Sequence, residues 1–98
     1  MKTIAVAATI QVLEGDRGDY LQALQAHALR CKVTEPGTLE FRILVPKDDL
    51  KTVMLYEVYA SDEAFQAHLQ GASMTQMKRD AQGFKTALTG VVCEPLEI

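Results

Sequence analysis

The chain has 98 residues and a mass of 10.8 kDa, the size of a single domain over residues 1–98 with one core. With 48% hydrophobic and 23% charged residues it can build that core, which excludes a disordered tail. Ten Lys and Arg stand against thirteen Asp and Glu, a net charge of -3. That balance argues against a nucleic-acid binder, whose basic face would release counterions from phosphate.

The first segment alternates: Ile4, Val6, Ala8, Ile10 and Val12 share one face, and Thr3, Ala5, Ala7, Thr9 and Gln11 the other. Period two predicts a strand. Glu14-Gly15-Asp16 turns the chain, and Asp16 caps a helix predicted from about Arg17 to Val33, with Tyr20, Leu24, Ala28 and Cys31 along its inner stripe. Thr34-Glu35-Pro36-Gly37 ends it. Leu39, Phe41, Ile43 and Val45 alternate with Glu40 and Arg42 as a second strand, and Pro46-Lys47-Asp48-Asp49 is a loop. Thr52 to Ala60 is apolar on both faces, which predicts a central strand or one covered by another molecule. Ser61 caps a helix from Asp62 to about Gln70, broken by Gly71. Ser73-Met74-Thr75-Gln76 has capping-box spacing and predicts further helix ending near Gly83, and Leu88 to Glu94 is the last strand.

The order β-α-β-β-α-β is the ferredoxin-like arrangement, an α+β fold on a four-stranded antiparallel sheet. Two helices cover one face of such a sheet. The other, apolar in at least three strands, calls for a second copy packed face to face, so a homodimer is expected.

His68 follows Phe65 by three positions and flanks the apolar stripe of the second helix. A neutral imidazole there suits removal of a proton from a phenol or from carbon beside a carbonyl; the plainer alternative is a half-buried histidine bonded to backbone or water. His27, beside Leu24 and Cys31, faces the same way from the first helix and has the same pair of readings. Glu57 interrupts an apolar strand face, where it is a pocket acid or base with raised pKa, or an ion-pair partner of Arg42. Arg42 could hold a substrate anion instead. Tyr56 and Tyr59 point to opposite faces, so at most one of them lines a given pocket by its hydroxyl. Met54, Met74 and Met77 fill gaps in the core or wall a flat apolar ligand.

Cys31 and Cys93 form no Cys-x-x-Cys pair, which points to two reduced thiols with no metal site and no disulfide. Ala5-Val6-Ala7 imitates a signal-peptide cleavage site, yet the apolar run before it is too short. With no membrane-length apolar stretch, a cytoplasmic protein that does not engage a membrane is expected.

Three stretches carry a resemblance: Glu35-Pro36-Gly37-Thr38-Leu39, Leu55-Tyr56-Glu57-Val58-Tyr59, and Asp62-Glu63-Ala64-Phe65-Gln66-Ala67-His68-Leu69. The chain resembles the antibiotic biosynthesis monooxygenase family, which includes quinol monooxygenases, over nearly its whole length. The resemblance implies a dimeric α+β barrel with a pocket between sheet and helices, and oxygenation of phenolic or quinol-like substrates without metal or flavin. It also implies that a histidine shortly before the Glu-Pro-Gly turn, here matched loosely by His27, belongs to the site. Family members often carry Trp where this chain has Tyr59, a His-aromatic pair at Ser73-Met74, and an aromatic at Met77. The chain has no Trp, which demotes the haem-degrading branch, while Tyr59 is similar to the small-ketone isomerase branch.

The combined expectation is an enzyme that needs no cofactor and oxygenates a small phenol or quinol. His68, His27 and Glu57 do the proton chemistry, and Tyr59, Tyr56, Arg42, Met74 and Met77 line the substrate. A ketone isomerase and a non-enzymatic small-molecule binder remain the alternatives.

Overall fold

A computed structural model describes residues 2–98. The elements run β1 (Ile4–Glu14), α1 (Arg17–Thr34), β2 (Thr38–Leu44), β3 (Thr52–Tyr59), α2 (Asp62–Gln70), α3 (Ala72–Asp80) and β4 (Lys85–Cys93). They build one four-stranded antiparallel sheet in the order β2-β3-β1-β4, the ferredoxin-like α+β fold.

Strand pairing sets which side chains meet the helices. Opposite Val6, Ala8 and Ile10 stand Glu57, Leu55 and Val53 of β3. Opposite those, β2 brings Phe41 and Ile43. The core sits on this side, closed by Tyr20, Leu24, Ala28 and Cys31 of α1 and Met77 of α3.

The helix starts follow capping chemistry. Asp16 accepts from the Asp19 amide at 3.0 Å, and the Ser61 hydroxyl accepts from the Ala64 amide at 3.1 Å. Gly15 takes φ +104 in the turn before α1, and a Cβ there would lie 2.5 Å from the Phe84 ring.

Three expectations are corrected. The pairing of β2 with β3 shifts between Thr38 and Glu40, and the bulge turns Leu39 outward (53% exposed) while Thr38 takes its buried place. The helix break at Gly71 is one residue long, so Gly71 itself caps α3 and Ser73 lies buried inside its first turn instead of capping it. The last strand begins at Lys85, because Thr86 and Ala87 find partners on the long β1 despite their weak signal.

Candidate functional site

α1 and α2 converge on the buried end of β3. α1 is straight through Thr34 and closes with the Glu35 amide donating to the Cys31 carbonyl at 3.0 Å. Pro36 prevents another turn, and Gly37 lets α2 come close: a Cβ on Gly37 would stand 2.5 Å from Ala64 Cβ. The Glu-Pro-Gly turn thereby delivers the Glu35 carboxylate to His68, and Glu35 Oε1 lies 2.9 Å from His68 Nδ1. The Thr38 hydroxyl donates to the same oxygen at 2.7 Å.

His68 is only 3% exposed. Its other ring nitrogen, Nε2, lies 3.9 Å from Glu57 Oε1. Tyr59 donates its hydroxyl to that Glu57 oxygen and is itself wholly buried. The His27 ring stands 5.7 Å from the His68 ring, edge-on to Phe41 at 5.5 Å. Cys31 Sγ fills the space between the histidines, 3.6 Å from His27 Nε2 and 3.7 Å from His68 Nδ1.

Burial pushes the Glu35 carboxyl up, but the Thr38 hydroxyl, the His68 hydrogen bond and the His68 charge outweigh it and leave the pKa lowered. Glu35 is therefore a carboxylate, which can only accept, so His68 Nδ1 donates to it, and the neutral form of the ring would present its lone pair at Nε2. Burial raises Glu57 more than the Tyr59 hydrogen bond lowers it. Burial and the neighbouring His68 lower His27, which keeps that ring neutral. Burial and Glu35 push the Cys31 thiol up to about 12.

His27, Glu57 and His68 border a cavity of about 380 Å³ between sheet and helices. Its apolar walls include Leu24, Phe41, Leu55, Phe65, Met74 and Met77; its polar points are Tyr20, His27, Glu57 and His68. The mouth lies over β4, whose inward Leu88 and Val92 remain 63% and 55% exposed.

Of the residues singled out from sequence, His27, His68, Glu57, Met74 and Met77 meet at this cavity. Tyr59 stands behind Glu57 rather than on the wall. Tyr56 and Arg42 lie on the opposite face of the sheet, paired with each other across β2 and β3. The Arg42–Glu57 ion pair does not form: Arg42, with its side chain 68% exposed, reaches Glu40 at 3.1 Å instead. Strand phase explains this, since residue 42 is out of step with Phe41 and residue 57 with Tyr56.

Glu35 and Cys31 were missed as site residues. For Cys31 the signal was present in the spacing: it follows His27 by four residues and so shares its face of α1. His27, Cys31 and His68 are all buried, with one ligand atom from each within 4.8 Å of the others.

A ferredoxin-like protomer with a buried carboxylate–histidine pair at an apolar cavity is the class that fold and site define. The family model of antibiotic biosynthesis monooxygenases matches residues 3–80, and the chain belongs to that family. Among solved structures it is similar to a Caulobacter crescentus CB15 protein assigned provisionally as an antibiotic biosynthesis monooxygenase: TM-score 0.87, 21% identity, covering 98% of this chain and 92% of that one. SnoaB, a cofactor-independent oxygenase from Streptomyces nogalater, gives TM-score 0.87 at 11% identity, covering 100% and 97%. A Nitrosomonas europaea protein with the same provisional assignment gives 0.81 at 21%, covering 98% and 93%. At these identities the likeness establishes the fold. No curated protein matches the chain.

Proposed function

We propose that the chain is a monooxygenase that uses molecular oxygen on a small phenolic or quinol-type substrate without metal or flavin. The observation that carries this reading is the Glu35–His68 pair, 2.9 Å apart, with His68 bordering an apolar cavity. Family membership and the fold shared with a cofactor-independent oxygenase support it.

His68 Nε2 accepts the substrate's hydroxyl proton, and Glu35 stabilises the imidazolium that results. The phenolate passes one electron to oxygen, and the radical pair recombines as a peroxide at a ring carbon that bears hydrogen. His68 returns its proton to the peroxide, its freed Nε2 takes the C–H proton as the O–O bond breaks, and the departing hydroxide takes that proton up as water. One phenol and one O₂ become one quinone and one water. The apolar walls exclude bulk water from the anion.

A second reading rests on Glu57, a carboxyl whose pKa burial raises and which stands 3.9 Å from the His68 ring. In a ketone isomerase His68 would remove the proton and Glu57 return it. The cavity walls named above carry no Lys or Arg, which favours an uncharged substrate in either case. Oxygen uptake over a panel of quinols and polycyclic phenols separates the readings: the oxygenase consumes oxygen, the isomerase only exchanges solvent deuterium into a ketone.

The reading includes a homodimer formed through the open sheet face, where Leu44, Met54, Tyr56 and Val91 border a groove and are exposed. It also keeps the protein cytoplasmic. Among the described residues no helix is long and apolar enough to cross a membrane.

A further inference from the structure

His27, Cys31 and His68 converge more closely than the proposed reaction requires. One thiol proton can serve only one of the two rings that face it. The separations nonetheless match those of ligands around a shared ion. A zinc ion about 2.3 Å from a thiolate sulfur and about 2.05 Å from an imidazole nitrogen holds the two about 3.6 Å apart at a tetrahedral angle. Cys31 Sγ lies 3.6 Å from His27 Nε2 and 3.7 Å from His68 Nδ1. Glu35 Oε1 is 2.9 Å from His68 Nδ1, a hydrogen-bond distance that must open to roughly 3.4 Å for both atoms to sit on one tetrahedral ion. Its second oxygen, Oε2, is buried without a partner.

We infer that His27, Cys31 and His68 form a binding site for a divalent transition metal ion of zinc type, with the Glu35 carboxylate beside His68 moving in as fourth donor. Two imidazoles, one thiolate and one carboxylate suit a tetrahedral ion of borderline softness. Two of the donors, His27 and Cys31, come from one face of α1 four residues apart, so the helix sets their spacing, and Glu35 is the residue that caps its end. An outer contact is also present. The Thr38 hydroxyl holds Glu35. An ion reaches the site through a second groove of about 390 Å³, lined by Glu35 and His68 on the side of Pro36 and Gly71. On binding, the Cys31 thiol gives its proton to solvent and the Glu35–His68 hydrogen bond is replaced by two bonds to the metal.

One consequence rests on the base role proposed above. A neutral imidazole bound to metal through Nδ1 carries its proton on Nε2, so His68 then donates and cannot accept. Metal binding and base catalysis exclude each other at this ring.

The test uses untagged, metal-stripped protein carrying Cys93→Ser, which leaves Cys31 as the one thiol beside the chain's two histidines. Titration with Co²⁺ is expected to give the visible bands of a tetrahedral ion and a thiolate-to-cobalt charge-transfer band, complete at one equivalent and erased by Zn²⁺. Adding Cys31→Ser removes the charge-transfer band and weakens zinc binding roughly 100-fold or more. Absence of the band in the folded Cys31 protein, or zinc affinity unchanged by Cys31→Ser, overturns the inference. If Cys31→Ser does not fold, the ring ¹⁵N resonances of the Cys31 protein decide. Those of both His27 and His68 must move with one equivalent of Zn²⁺, and a ring that stays still overturns the site. No substrate is involved, so this result and that of the oxygenase test stand apart.

Discussion

At the residue scale the account turns on His68, held between the Glu35 carboxylate on Nδ1 and the cavity on Nε2. His68→Ala is expected to lower turnover about 100-fold or more while changing substrate affinity only a few-fold. Glu35→Gln keeps a partner for the ring but no charge for the imidazolium, and turnover is expected to fall about 10- to 100-fold. Steady-state kinetics with separate kcat and KM check both. Glu57→Gln distinguishes the two readings further, since it should stop an isomerase that needs a returning acid and leave oxygenation within a few-fold. His68 and Glu57 were readable from sequence because His68 flanks the apolar stripe of its helix and Glu57 interrupts an apolar strand face. Glu35 was quoted as part of a turn, but its role was not readable there. What makes it a site residue is the chain reversal at Pro36, a contact between positions 33 apart.

At the element scale, the site depends on how closely α2 approaches the turn after α1. Gly37→Ala places a methyl against Ala64 and is expected to cost about 1–3 kcal/mol of stability, as overpacking does. The same shift lengthens the Glu35–His68 bond, so denaturant midpoint and turnover should fall together. The loop between β2 and β3 offers a pH test remote from the site. The Thr52 hydroxyl and the Lys51 amide both donate to the Asp49 carboxylate and hold its pKa below the ordinary 3.8. A lowered carboxyl pKa stabilises the fold above the unfolded value and loses that contribution as pH falls through the folded one. As pH falls below the ordinary 3.8 and through the lowered folded value, the wild-type loop should therefore loosen, read as loss of amide-exchange protection at Lys51, while Asp49→Asn should already lack that protection at neutral pH. Most elements were legible because periods of two and 3.6 mark them directly. The bulge at Leu39, the cap at Gly71 and the early start of β4 were not. Each is decided by what pairs alongside, and that information is not local.

At the scale of the whole molecule, the apolar open face of the sheet is the largest feature that one copy leaves uncovered. Met54 and Tyr56 on β3 sit near its middle and are exposed. In a homodimer through this face the protein sediments at twice the chain mass, and Met54→Asp, which buries a charge at the contact, shifts it to monomer. The helix side of the sheet, with its cavity, should remain intact in that monomer, because Met54 faces away from it. The most direct test of the central claim is oxygen uptake by metal-stripped protein, with and without His68, across quinols and polycyclic phenols. The account predicts uptake that needs neither metal nor flavin and falls about 100-fold or more in His68→Ala. Uptake that survives the loss of His68, or that begins only when metal or flavin is added, would contradict it.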